Sequence, residues 1–141
     1  MINKIAKLVK DLTEYDIIYS KEEETHTDHI EEKIFLNLDD DVYKFLLHIQ
    51  TKHECRLAFD YHPILWVVLH EIGHEKTWED ITPQEWEEYA FINFAFDIGL
   101  GSQQELERQY YNSAVEWCAT EWAIWFVENH KKELKQFEIE R

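Results

Sequence analysis

The segment from Val67 to His74 reads Val-Val-Leu-His-Glu-Ile-Gly-His, which sets His70, Glu71 and His74 in the spacing His-Glu-x-x-His. On a helix, residues four apart lie one turn above each other on the same face, so His70 and His74 can grip one metal ion. Glu71 projects from a neighbouring direction, where it can take a proton from a water on that ion. Zinc suits imidazole donors, and water bound to it becomes a usable nucleophile near neutral pH. The spacing therefore predicts a zinc-dependent hydrolase of the peptidase kind, with His70 and His74 on the metal and Glu71 as the general base.

The surroundings favour that reading over two histidines facing water. Ile64, Leu65, Val67, Val68, Leu69 and Ile72 make the segment apolar on nearly every side. A helix apolar all round is a buried one, and two imidazoles and a carboxylate buried together need partners. The helix should run over about 62–76, starting at Asp60 or His62 with Pro63 in its first turn. Gly73 costs it about 1 kcal/mol against alanine, which points to a close approach by another element.

A catalytic zinc commonly takes three protein donors and leaves one position for water. Asp97, Glu116, Glu121 and His130 are the downstream candidates. Glu116 is followed by Ala119 and Ala123, so a narrow face of small residues runs beside it and lets its helix come close to the motif helix. Glu121 falls on a different face and reads as a solvated carboxylate. Glu116 is the preferred third donor on these helical grounds, with Glu121 as the alternative.

The elements that must position these residues are mostly helical. Ile2, Ile5, Leu8, Val9 and Leu12 predict a first helix over 2–14, and charges interrupt every apolar run there, unlike a secretory signal. Residues 15–19 and 33–38 read as two strands of a small, antiparallel sheet, joined by an acidic exposed loop at 21–32 that contains His26 and His29. Asp39–Asp41 can cap a helix over 42–54. Thr82-Pro83-Gln84-Glu85 starts another, with threonine at the N-cap, proline at N1 and glutamate at N3, running to about Ile98 and ending at Gly99. A last long helix covers about 103–134, with room for one break. The expected fold class is α+β, mostly helical, as one domain over 1–141.

With 45% hydrophobic and 15% aromatic residues the 141-residue chain can bury a real core, so disorder is excluded in spite of the charge. The six tryptophans fall in segments expected to form helical core. An aromatic cluster over 86–96 and 117–126 reads as core first, with any exposed part free to grip a partner. The formal charge of −16 argues against direct binding of nucleic acid and of anionic membrane surfaces. No stretch approaches the length of a membrane span. Cys55 and Cys118 are too few for a disulfide framework, and the address expected is the cytoplasm.

Beyond spacing, the chain resembles the ImmA/IrrE family of zincin-like metallopeptidases. The matching residues are Leu36-Asn37, then His70-Glu71-Ile72-Gly73-His74, then Glu116, Ala119, Trp122 and Ala123, spread over about 30–127. The resemblance implies a zincin-like fold with zinc held by His70, His74 and Glu116 and with Glu71 as base. It implies a protein substrate, of the kind of a repressor encoded by a phage or mobile element. Thr120 stands where the family carries Asn or Asp, an apparent extra helix at 82–98 separates the motifs, and no helix-turn-helix segment accompanies them.

A second donor to the developing oxyanion would come from Tyr110, Tyr111 or His62, and a peptide could add as a strand along Ile34–Leu38. Two other functions fit the same residues: an acidic zincin-like protein that blocks a partner without cutting it, and a metal-dependent hydrolase of a non-peptide substrate. Hydrolysis needs Glu71 whereas metal binding does not, and its presence favours an enzyme.

Overall fold

The computed structural model describes residues 1–140. Among them, six α-helices and a three-stranded sheet make an α+β fold that is mostly helical. The elements are α1 (Ile2–Leu12), β1 (Asp16–Tyr19), β2 (His26–Asp28), β3 (Lys33–Leu36), α2 (Tyr43–Thr51), α3 (Pro63–Thr77), α4 (Pro83–Ile98), α5 (Gln103–Asn112) and α6 (Ala114–Asn129). Short 3-10 turns follow α3 at Trp78–Asp80 and close the chain's last packed segment at Lys135–Phe137. No helix among the described residues is long and apolar enough to cross a membrane.

The centre of the molecule is α3. Leu65, Trp66, Val68, Leu69 and Ile72 are all fully buried, as its all-round apolar character demands. Ile5 and Val9 of α1, Ile34 and Leu36 of β3, Leu46 and Ile49 of α2, and Ala123 and Val127 of α6 pack around it. The C-terminal segment returns across this core. Phe137 is buried, Tyr61 bridges to Glu138, and the His62 N–H donates to the Phe137 carbonyl at 2.9 Å. Of the six tryptophans only Trp66 is buried outright, while Trp78 and Trp125 are about half exposed, so most of them cover the core's rim and do not build its interior.

The sheet departs from the sequence expectation. Its order is β1-β3-β2, with β1 parallel and β2 antiparallel to β3. The missing strand, β2, lies inside the acidic stretch 21–32, and a four-residue turn with Glu32 at φ 55° returns it to β3. Charges at Glu22–Glu24 conceal three residues that pair through their backbone with only partial side-chain burial. Because β3 is paired on both sides, the edge proposed at Ile34–Leu38 is not available, and the outer strands are β1 and β2.

The helix ends are local chemistry. Thr82 and Glu85 form the reciprocal capping box at the start of α4, and Gly99, at φ 68°, takes the left-handed position that ends it. The long C-terminal helix breaks at Ser113, whose hydroxyl accepts from the Glu116 N–H, and α6 stops at Asn129, short of the expected 134. At α2 the Asp41 carboxylate accepts from the Tyr43 N–H, and Glu54, at φ 54°, closes the far end in the left-handed region.

Candidate metal centre

Antiparallel packing of α3 on α6 brings the sequence motifs together. Glu116 sits on the first turn of α6, and its two oxygens meet the two imidazoles of α3. Oε1 lies 2.9 Å from His70 Nε2, and Oε2 lies 3.1 Å from His74 Nε2. His70, Glu71, His74 and Glu116 are 7%, 6%, 9% and 4% exposed. The capping signature Ser113-x-x-Glu116 is half realised: the serine caps, while the glutamate side chain turns into the site.

Gly73 makes this approach possible. A Cβ at that position would lie 2.4 Å from the Ala119 carbonyl oxygen, so the two helices touch backbone to backbone beside the histidines. Below His70, the Thr120 hydroxyl is 2.9 Å from Nδ1. A hydroxyl both donates and accepts, so it serves either imidazole tautomer without moving a heavy atom. Thr120 thus supports His70 directly from α6.

Glu71 is held from the other side. The Thr27 hydroxyl of β2 is shared between the Glu71 carbonyl, at 3.0 Å, and its carboxylate Oε1, at 2.9 Å. Tyr89 of α4 donates its O–H to Glu116 Oε2 at 2.9 Å and stacks on Tyr110 of α5 at 5.7 Å. A cleft of about 110 Å³ lies between these parts, walled by Thr27 and His29 from the sheet side and by Trp86, Tyr89 and Tyr110 from the other.

The charges are tightly matched. Burial would lower the His74 imidazole, but Glu116, in contact and hydrogen-bonded to it, and Glu71 push it up to about 9. Burial would raise the Glu116 carboxyl, but His74 and His70 hold it well below the usual carboxylate range. Tyr89 and Tyr110 are pushed up by burial and by the Glu116 charge, which keeps both phenols protonated as donors.

His70, Glu71 and His74 form a buried group whose donor atoms lie within 4.8 Å of one another and can hold a metal ion. Two imidazoles and a carboxylate meeting at one point are the donor set that zinc takes, so the residues fit that ion.

The other sequence candidates are dispersed. Glu121 is exposed, 3.4 Å from His53 Nδ1. Asp97 is exposed on α4, and His130 stacks on Phe126 at the end of α6. Of the three proposed oxyanion donors only Tyr110 reaches the cleft. Tyr111 packs on His48 at 5.0 Å, and His62 is the N-cap residue of α3. Thr27, His29 and Tyr89 join the site without a sequence motif to mark them. Thr27 and His29 lie in an acidic segment whose composition is that of a solvated loop, and no spacing marks Tyr89 out among the aromatics of α4. No family model, curated protein or solved structure matches the chain.

Proposed function

We propose that this protein is a zinc-dependent peptidase, with His70, His74 and Glu116 as metal donors and Glu71 as general base. The observation that carries the reading is the double contact of Glu116 with both imidazole Nε2 atoms. Glu71 is buried beside them but is tied at Oε1 to Thr27, which suits a base that must be aimed more than a ligand that must be spent on the metal. The likeness of these residues to the ImmA/IrrE pattern supports a zincin-like fold and a protein substrate of the repressor class.

Bound zinc would supply a water of lowered pKa and polarise the scissile carbonyl. Glu71 would take the proton of the attacking water and return it to the leaving amine, so its carboxylate is regenerated. Thr27 would orient Glu71 through the shared hydroxyl, and Thr120 would fix His70 with Nδ1–H donating to it and Nε2 facing the site. The phenol of Tyr110, protonated and lining the cleft, would donate to the developing oxyanion, while Tyr89, whose one proton goes to Glu116 Oε2, would hold that carboxylate in place. An extended peptide would lie along β2, the outer strand beside the cleft, and not along β3.

The test is the metal content of purified protein by elemental mass spectrometry in wild type, Glu116→Ala and Glu71→Gln. About one zinc per chain, lost in Glu116→Ala and kept in Glu71→Gln, is the expected result. Absence of zinc after purification and after added zinc would sink the reading.

A further inference from the structure

Opposite the face of α4 that carries Tyr89, the same helix shows solvent a row of large apolar side chains. Phe91, Phe94 and Ile98 recur at i, i+3 and i+7 and are 60%, 55% and 56% exposed, and Leu100 continues the row beyond Gly99. Single exposed apolar residues need no explanation, but three aligned on successive turns form a stripe with a surface cost. Beside Phe91 a groove of about 570 Å³ runs between α4 and α5, with Glu87 and Glu88 on its wall. Its cation, Arg108, is already held by Glu105.

The rim of the stripe is acidic. Glu87, Glu88 and Asp97 are exposed and make no ion pair among the described residues. Asp97 lies in the last turn of α4, which contains no basic residue, although the negative end of a helix dipole is where a cation is favoured. Apolar centre, unpaired carboxylates on both flanks and an uncompensated helix terminus all ask for the same complement.

We propose that this face of α4 binds an amphipathic helix of a partner protein, apolar on one side and carrying Lys or Arg on its flanks. Glu87 to Ile98 spans about 16 Å of helix rise, which matches about eleven or twelve residues of such a partner. A second copy of this chain is a poor occupant. Antiparallel copies would set Glu87 and Glu88 against Asp97, and parallel copies would set each carboxylate against itself, on chains that each carry −16. The proposal is independent of the metal chemistry.

The probe is a fluorescein-labelled amphipathic helix of fourteen residues built from Leu and Lys, titrated by anisotropy beside a scrambled peptide of the same composition. Wild type is expected to bind the amphipathic peptide at least tenfold tighter than the scrambled one. The double variant Phe91→Ser, Phe94→Ser should lose tenfold or more, as should Glu87→Lys with Glu88→Lys. Ile98→Ser is the milder second variant, and circular dichroism checks that each keeps the wild-type fold. The same charge change at and just beyond the C-terminal end of α6, Glu128→Lys with Glu133→Lys, should leave affinity within twofold. Equal weakening by that distant pair, or no effect of either phenylalanine, would reduce the attraction to diffuse charge and overturn the proposal. A wild-type dimer in sedimentation that Phe91→Ser, Phe94→Ser dissolves would overturn it in favour of a second copy.

Discussion

The α-carbon of Gly73 faces the carbonyl of Ala119 so closely that a methyl group there would lie 2.4 Å from the oxygen. The obstacle is backbone, not the flexible tip of a side chain, so the helices would have to part. Gly73→Ala should therefore destabilise the fold by about 3 kcal/mol in urea unfolding, although alanine is the better helix former. Wild-type stability in that variant would show that α3 and α6 do not meet as described.

Thr120 is buried under His70, and Thr120→Val keeps its shape while removing the hydroxyl. Zinc affinity is expected to fall about tenfold to a hundredfold, the range typical of lost hydrogen bonds to a metal-binding histidine. Thr120→Ser should retain most of it. Competition against a chromogenic chelator gives the affinities, and equal binding by the valine variant would remove Thr120 from the site's support.

Metal-free protein should respond to pH through His74. Its folded pKa of about 9 stands above the ordinary 6.5, so the folded state holds a proton that the unfolded state releases. That stabilisation is complete below about 6.5 and is lost as pH rises through about 9. In EDTA the urea midpoint should fall across this window, and Glu116→Gln should flatten the fall. Loading zinc at pH 7 should release about one proton from His74, measurable in weak buffer beside any proton lost by water on the ion, and the His74 share should vanish well above pH 9.

His48 sets an opposite slope at acid pH. Burial, with help from His53, Lys52 and His70, lowers it to about 4, and its Nε2 is buried without a partner. The unfolded state binds a proton there that the folded state refuses, so stability should drop as pH falls from about 6.5 to about 4. Replacing His48 with phenylalanine should flatten that limb. An unchanged slope would assign the acid loss to other groups.

Tyr89→Phe keeps the ring stacked on Tyr110 and removes only the donor to Glu116. Because that hydrogen bond orients a carboxylate proposed to hold the ion, zinc affinity should fall about tenfold to a hundredfold. Unchanged zinc affinity would remove Tyr89 from the support of Glu116.

The helical part of the architecture could be read from the chain because its signals are local. Thr82, Pro83 and Glu85 announce α4, and the apolar run around His70 requires a buried α3. Ala119 and Ala123 anticipate the close face beside Glu116, and Gly73 anticipates its counterpart. The sheet could not be read in the same way. Strand order depends on backbone pairing between distant residues, and the three residues of β2 carry no alternation that would separate them from the acidic loop around them. Tyr89 reaches Glu116 only because of how α4 folds back, a relation no spacing encodes.

The α4–α5 excursion leaves the antiparallel pair at Thr77 and rejoins it at Ser113, both at the same end of α3 and α6. Closure cost rises only logarithmically with loop length, so a segment anchored this way tolerates growth, shrinkage or wholesale exchange. The residues proposed to hold the ion belong to the pair, whereas Trp86, Tyr89 and Tyr110 of the cleft wall belong to the excursion. Grafting a different excursion onto the same two helices would therefore change what the cleft selects while sparing the chemistry at its floor.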